Sequence, residues 1–152
     1  MFALKHYQDK ALAALDGFFY KLRTVGLDAA WRACAPMQGN KNNGQLGQTN
    51  YDPAALGEVP AVCVRIPTGG GKTFLAAHAV AYAGKTLRDT AAPVALWLVP
   101  SDAIRSQTLA ALSTPRNPCR EALTQHFGER VRVCALDDLP TVAGVWAARP
   151  GR

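Results

Sequence analysis

Three consecutive glycines at positions 69–71 lie between a short apolar run, 61–66, and an alanine-rich segment, 73–83. Fixing a glycine backbone costs more conformational entropy than fixing any other residue, so a local contact must offset the cost of this run. Backbone N–H groups converge on an anion only where no Cβ obstructs it, and a helix that follows adds the positive end of its dipole. The pattern predicts a strand, a phosphate-binding loop and a helix. The expected phosphate ligands are the amides of Gly69, Gly70, Gly71 and Lys72.

The residues that flank the glycines predict what the loop binds. Lys72 is expected to reach the β- and γ-phosphates of ATP, and the Thr73 hydroxyl is expected to coordinate Mg²⁺, as in a P-loop or Walker A motif. Thr68 completes the predicted loop, whereas Ile66 stands where such loops commonly begin with glycine or alanine. The alternative is a flexible turn that contains Gly-Lys-Thr and binds nothing.

Apolar runs alternate with helical segments along the rest of the chain. The runs at 61–66, 94–99 and 131–135 predict buried strands. Capping residues and apolar spacing predict helices at about 101–112 and 118–127. Because strands that alternate with helices pair in parallel, the predicted fold class is α/β, with three layers around a parallel sheet.

Two further segments precede this α/β region. Residues 1–35 carry apolar side chains at three- and four-residue steps and predict an N-terminal helical segment, with one long helix ending near Gly26. Residues 36–60 are dense in Gly, Asn, Gln and Pro without an apolar period, which predicts a long, irregular and exposed polar loop or insertion. The predicted third segment is 61–152, the first part of a nucleotide-binding domain.

Composition permits some classes of protein and disfavours others. The 152 residues include 17 Lys and Arg against 11 Asp and Glu, and the net charge of +6 permits a polyanionic partner. The four cysteines occur singly, without metal-binding spacing, and are expected to be reduced. We see neither an apolar run of membrane-spanning length nor a signal peptide, so we expect a cytoplasmic protein that does not contact a membrane.

Two stretches around the glycine loop resemble known helicase motifs. "PTGGGKT" and "LWLVPSDAIRSQTLAAL" are similar to motifs I and Ia of superfamily 2 helicases. More closely, the chain from about Leu4 to Leu136 resembles the start of the Res (helicase) subunit of type III restriction enzymes and its DEAD/DEAH-type relatives. This resemblance implies part of a RecA-like P-loop NTPase domain, from an ATP-dependent DNA helicase or translocase of a restriction system. The "YQ" at Tyr7 and Gln8 resembles an upstream glutamine motif, which implies that the Gln8 amide pairs with adenine through two hydrogen bonds and that Tyr7, or an apolar neighbour, packs near the base. The alternative is that Gln8 is only a polar position on the long helix.

The stretch that resembles motif Ia implies a contact with DNA. In the family this motif touches the sugar–phosphate backbone of one strand, which positions the strand without reading its sequence. The alternative is that Ser101 only caps a helix and Arg105 is only solvated. The resemblance also permits a modification or specificity subunit as a partner. The residues that it implies for the DNA contact are Pro100, Ser101, Arg105 and Gln107.

An acidic pair suited to ATP hydrolysis is not evident in the sequence. Helicases of this class place an Asp-Glu pair on a later strand, where Asp binds Mg²⁺ and Glu orients the attacking water. Asp137 and Asp138 form an Asp-Asp pair at an earlier position, and we do not interpret them as that pair. We therefore expect an incomplete motor domain that binds nucleotide, contains no catalytic residue and does not hydrolyse ATP alone. Two alternatives stay open: a nucleotide-binding module without turnover, and another P-loop NTPase such as a small-molecule kinase.

Overall fold

The computed structural model describes residues 3–34 and 59–138, together with the backbone of two short strands between them. The chain divides into two compact units, residues 2–95 and residues 96–152, and each is described by itself. None of the helices in the described part of the chain is long and apolar enough to cross a membrane.

The first unit contains three α-helices and a π-helical turn. They are α1 (His6–Val25), α2 (Leu27–Cys34), α3 (Lys72–Tyr82) and the π-helical turn Ala83–Leu87. The apolar stripe predicted for α1 is confirmed, because the buried residues of the helix include Leu12, Leu15 and Phe18 at three-residue steps. The helix ends at Gly26, whose φ of 83° favours glycine, and the predicted end of this helix is therefore confirmed.

The core of the first unit joins α1 to α3 and to the residue before the glycine loop. Leu12, Ile66 and Leu75 form a buried cluster, and four partly buried side chains pack against it: Leu4, Ala11, Ala79 and Tyr82. Polar contacts hold the other end of α1, where the Thr86 hydroxyl donates to the Asp16 carboxylate and Arg23 donates to the Thr86 carbonyl at 3.5 Å. These contacts thereby hold α1 against α3, the π-helical turn and the residue that precedes the glycine loop.

Two capped helices build the described part of the second unit. The helix α4 (Asp102–Ser113) begins after Ser101, and α5 (Pro118–Phe127) begins after Asn117 with proline in its first turn and ends at Gly128. The short 3₁₀ turns Gly128–Arg130 and Leu136–Asp138 follow. Both helices predicted from the sequence in this region are confirmed. Their buried residues are Thr108, Leu112, Cys119, Ala122 and Leu123.

The predicted three-layer α/β fold with a parallel sheet is wrong. Residues 61–66, 94–99 and 131–135 contain no strand, so the sheet of a RecA-like domain is not seen in the described part of the chain. The strands that the structure does describe are β1 (Gln38–Gly39) and β2 (Leu46–Gly47), which pair antiparallel over two residues. The rest of the predicted polar loop at 36–60 lies outside the described residues, apart from Val59 and Pro60.

The physical reason for the error is that an apolar run does not by itself form a strand. A strand needs a neighbour for its N–H and C=O groups, and the three runs pair with none in the described residues. Many of their apolar side chains are exposed, most of all in the run 94–99, with Val94 at 87%, Leu96 at 72% and Leu98 at 81% of full exposure. Of the first run only Ile66 is buried.

Candidate functional site

The glycine loop begins with a tight turn over residues 67–70. The Gly70 N–H donates to the Pro67 carbonyl at 3.0 Å, and the residue at the third position of the turn, Gly69, has a φ of 76°. A positive φ at that position is the requirement of a type II turn, which glycine meets without strain. Gly71 has a φ of 75° and is the N-cap of α3. Two of the three glycines are therefore required by backbone conformation.

Gly70 is required for a different reason, which is close approach. A Cβ on Gly70 would overlap the Ile66 side chain and lie 2.9 Å from the Pro67 carbonyl oxygen. Ile66 occupies the position where glycine or alanine is common, and its side chain fills the core beneath the loop. Because Gly70 has no side chain, the loop leaves room for the large side chain of Ile66.

The first turn of α1 contacts the loop through two consecutive side chains. The Tyr7 hydroxyl donates to the Gly70 carbonyl oxygen at 2.9 Å, and the Gln8 side-chain nitrogen donates to the same oxygen at 3.0 Å. Gln8 is only 4% exposed, and its Oε1 accepts from the Lys5 N–H at 2.8 Å. A Cβ on Gly71 would lie 2.7 Å from the Gln8 nitrogen. The structure therefore places Gln8 against the loop although the two are more than sixty residues apart in sequence.

The Tyr7 contact is one that sequence reasoning missed. The sequence treats Tyr7 as a ring beside a base, whereas the structure uses its hydroxyl as a hydrogen-bond donor to the loop. The adjacent Tyr-Gln pair at a helix start was the available signal, because residues in one helical turn can reach the same neighbour.

The Lys72 side chain folds back onto the glycine loop. Lys72 Nζ donates to the Pro67 carbonyl oxygen at 3.0 Å, and the side chain is exposed. Thr73 is half-buried in the first turn of α3, and Thr68 is exposed at the turn. Since an ammonium has three N–H donors and a flexible stem, Lys72 retains the capacity to bind an anion placed beside the loop.

In the second unit, the residues implied for the DNA contact lie at the start of α4. The Ser101 hydroxyl accepts from the Ile104 N–H at 3.4 Å, which is the N-cap contact of the alternative interpretation. Arg105 Nε donates to the Asp102 carboxylate at 3.0 Å in a half-exposed ion pair. Pro100 and Gln107 are exposed. The structure thus gathers these residues on one exposed helix start, and it also adds a carboxylate that the sequence analysis did not consider.

The ionisation of the Cys119 thiol is perturbed by its surroundings. Burial raises the pKa of the Cys119 thiol, and its backbone hydrogen bond lowers it by less. The side chains of Cys34, Cys63 and Cys134 are exposed. The described residues contain no cluster of three or more His, Cys, Asp or Glu that could hold a metal ion.

The comparison with protein families gives one match. The model of the family described as "Type III restriction enzyme, res subunit" matches residues 1–133 of this chain, which is most of its length. The search of curated proteins and the search of solved structures found no match to the chain. The matched region contains both the loop with its α1 contacts and the start of α4.

Proposed function

Since this chain belongs to the type III restriction enzyme res subunit family, we propose that it is the N-terminal ATP-binding part of an ATP-dependent DNA helicase or translocase. The observation that carries the proposal is the glycine loop, whose Gly70 carbonyl is held from α1 by Tyr7 and Gln8. A loop made of glycine and fixed from one side suits a ligand that approaches backbone amides closely.

The loop fits the triphosphate of ATP through its amides and its cation. The N-terminus of α3 supplies the positive end of a helix dipole, and Lys72 leaves the Pro67 carbonyl to reach the β- and γ-phosphates. Thr73 would hold Mg²⁺ through its hydroxyl, and that ion would neutralise phosphate charge. Thr68, Gly69, Gly70 and Gly71 complete the proposed set, in which the Gly70 N–H would exchange its bond to the Pro67 carbonyl for one to phosphate.

Gln8 is proposed to recognise adenine while it remains bonded to the loop. Its nitrogen has two N–H donors and its oxygen has two lone pairs, and the structure uses one of each. The second N–H and the second lone pair match the acceptor and donor that adenine presents at N7 and N6. The contacts of Gln8 in this structure are therefore compatible with the adenine role.

The start of α4 is proposed to contact the DNA backbone without reading its sequence. Ser101 and Arg105 supply a hydroxyl and a guanidinium, beside which Pro100 and Gln107 are exposed. The amides at the start of α4 add donors for a phosphate. We also propose that a modification or specificity subunit is a partner and that the protein acts in the cytoplasm.

A nucleotide titration tests the proposal. Fluorescent ATP is titrated against the wild-type chain and against Lys72→Ala, with Lys85→Ala as the matched control because Lys85 is exposed on the π-helical turn. Lys72 exchanges its contact with Pro67 for one with phosphate, so the expected net loss is about 1–2 kcal/mol, or about five- to thirtyfold in affinity. Thr73→Ala is expected to weaken binding only when Mg²⁺ is present. Equal affinities for wild type and Lys72→Ala would contradict the proposal.

A further inference from the structure

The Gly70 carbonyl oxygen accepts two hydrogen bonds from neighbouring residues of one helix turn. A carbonyl oxygen has two lone pairs, and the Tyr7 hydroxyl and the Gln8 amide occupy both. Tyr7 is 41% exposed, so burial alone does not hold its side chain at this place. The contact therefore depends on the hydroxyl rather than on the packing of the ring.

Fixing this oxygen also fixes the direction of an amide. The peptide bonds of the described residues are trans, so the N–H of Gly71 points to the side opposite the Gly70 oxygen. The peptide between Gly70 and Gly71 joins two residues without Cβ atoms, for which rotation into other backbone conformations is least hindered. Without a partner for its oxygen, this peptide is the easiest in the loop to rotate.

We propose that Tyr7 is a positioning residue for phosphate binding. Its hydroxyl, together with the Gln8 amide, holds the Gly70–Gly71 peptide so that the Gly71 N–H faces away from α1, toward a phosphate at the start of α3. This inference rests on the proposed function and adds a role that the ring of Tyr7 does not explain. It concerns the triphosphate and is independent of how the base is bound.

Tyr7→Phe tests this because it keeps the ring and removes only the hydroxyl. Tyr20→Phe is the matched control, since Tyr20 is an exposed tyrosine on the same helix. Two quantities are measured for each protein: hydrogen exchange of the amides at 68–72 without ligand, and the affinities for inorganic triphosphate and for ATP. Exchange in α2, which lies in the same unit as Tyr7, provides the internal reference for the stability of that unit.

We expect Tyr7→Phe to raise loop exchange and to lower both affinities by about two- to tenfold, the effect of one net hydrogen bond. The loss should be equal for inorganic triphosphate and for ATP, because the hydroxyl acts on the phosphate loop. Tyr20→Phe should change neither quantity.

Unchanged exchange and unchanged triphosphate affinity in Tyr7→Phe would overturn the inference. A loss for ATP without a loss for inorganic triphosphate would also overturn it, because that result would place Tyr7 at the base. If the wild-type chain binds neither ligand, the proposed function fails, and the phosphate role of Tyr7 fails with it. Faster loop exchange in that case would still show that the hydroxyl holds the peptide.

Discussion

Replacing Gly71 by alanine should destabilise the first unit by two separable effects. The φ of 75° places the new residue in the left-handed region, which costs an L-residue about 1–2 kcal/mol. The added Cβ would lie 2.7 Å from the Gln8 side-chain nitrogen, so Gln8 must move and lose its bond to Gly70, at about 0.5–1.5 kcal/mol. Together the two effects predict a loss of about 1.5–3.5 kcal/mol.

Three other glycines of the chain separate these effects. Gly26 has a φ of 83° and nothing within 4 Å of an added Cβ, so Gly26→Ala reports the backbone term alone. Gly84 has no positive φ, but its Cβ would lie 2.8 Å from Pro93, so Gly84→Ala reports crowding, at about 1–3 kcal/mol. Gly17 lies within α1 with neither problem, and Gly17→Ala should stabilise the protein by about 0.5–1 kcal/mol.

Thermal unfolding followed by circular dichroism gives the order of the variants. At about 2–4 °C for each kcal/mol in a chain of this size, Gly71→Ala should melt about 3–14 °C below wild type. The melting temperature of Gly26→Ala should lie between those of Gly71→Ala and wild type, and Gly17→Ala should melt above wild type. A midpoint for Gly71→Ala no lower than that of Gly26→Ala would refute the reasoning that Gln8 fills the space beside the loop.

Two further predictions concern the second unit. Asp102→Asn should strengthen DNA binding, because it removes a negative charge beside the proposed phosphate contact and releases Arg105. Arg105→Ala should weaken binding equally for unrelated DNA sequences. Filter binding at several salt concentrations measures both affinities. An unchanged affinity in both variants would exclude this helix start from the DNA contact. The Cys119 thiol should react with a disulfide reagent more slowly than the three exposed thiols, because burial restricts access to it and raises its pKa, and its rate should rise with pH as the reactive thiolate forms. Mass spectrometry of the labelled peptides measures each rate, and equal rates would contradict the burial of Cys119.

The helices of this protein are predictable from sequence because their signals are local. The stripe of α1, the cap at Ser101 and the proline and glycine that bound α5 each lie within one or two turns of the element that they define. Strand formation at 61–66, 94–99 and 131–135 depends instead on a hydrogen-bonded neighbour. The apolar pattern contains no information about that neighbour, and the predicted sheet is therefore the part of the fold that is wrong.

The candidate site also contains features that the local sequence predicts and features that depend on packing. The need for glycine at 69 and 71 follows from a turn and a helix start, and the local sequence predicts both. The need for glycine at 70 follows from the bulk of Ile66, and the meeting of Tyr7 with Gly70 spans 63 residues of chain. Both features, the need for glycine at 70 and the contact between Tyr7 and Gly70, depend on how side chains pack. The Tyr-Gln pair in the sequence indicates only the α1 side of that contact.

The contacts that hold α1 close a long loop of chain. The bond from Gln8 to Gly70 and the bond from Thr86 to Asp16 join residues separated by 62 and 70 positions. The entropy of closing a flexible loop grows only with the logarithm of its length, and doubling that length costs about 0.6 kcal/mol. By this estimate, the length of chain between these contacts matters less for stability than the contacts themselves. A single substitution at Gly71 is expected to cost more than a doubling of that length.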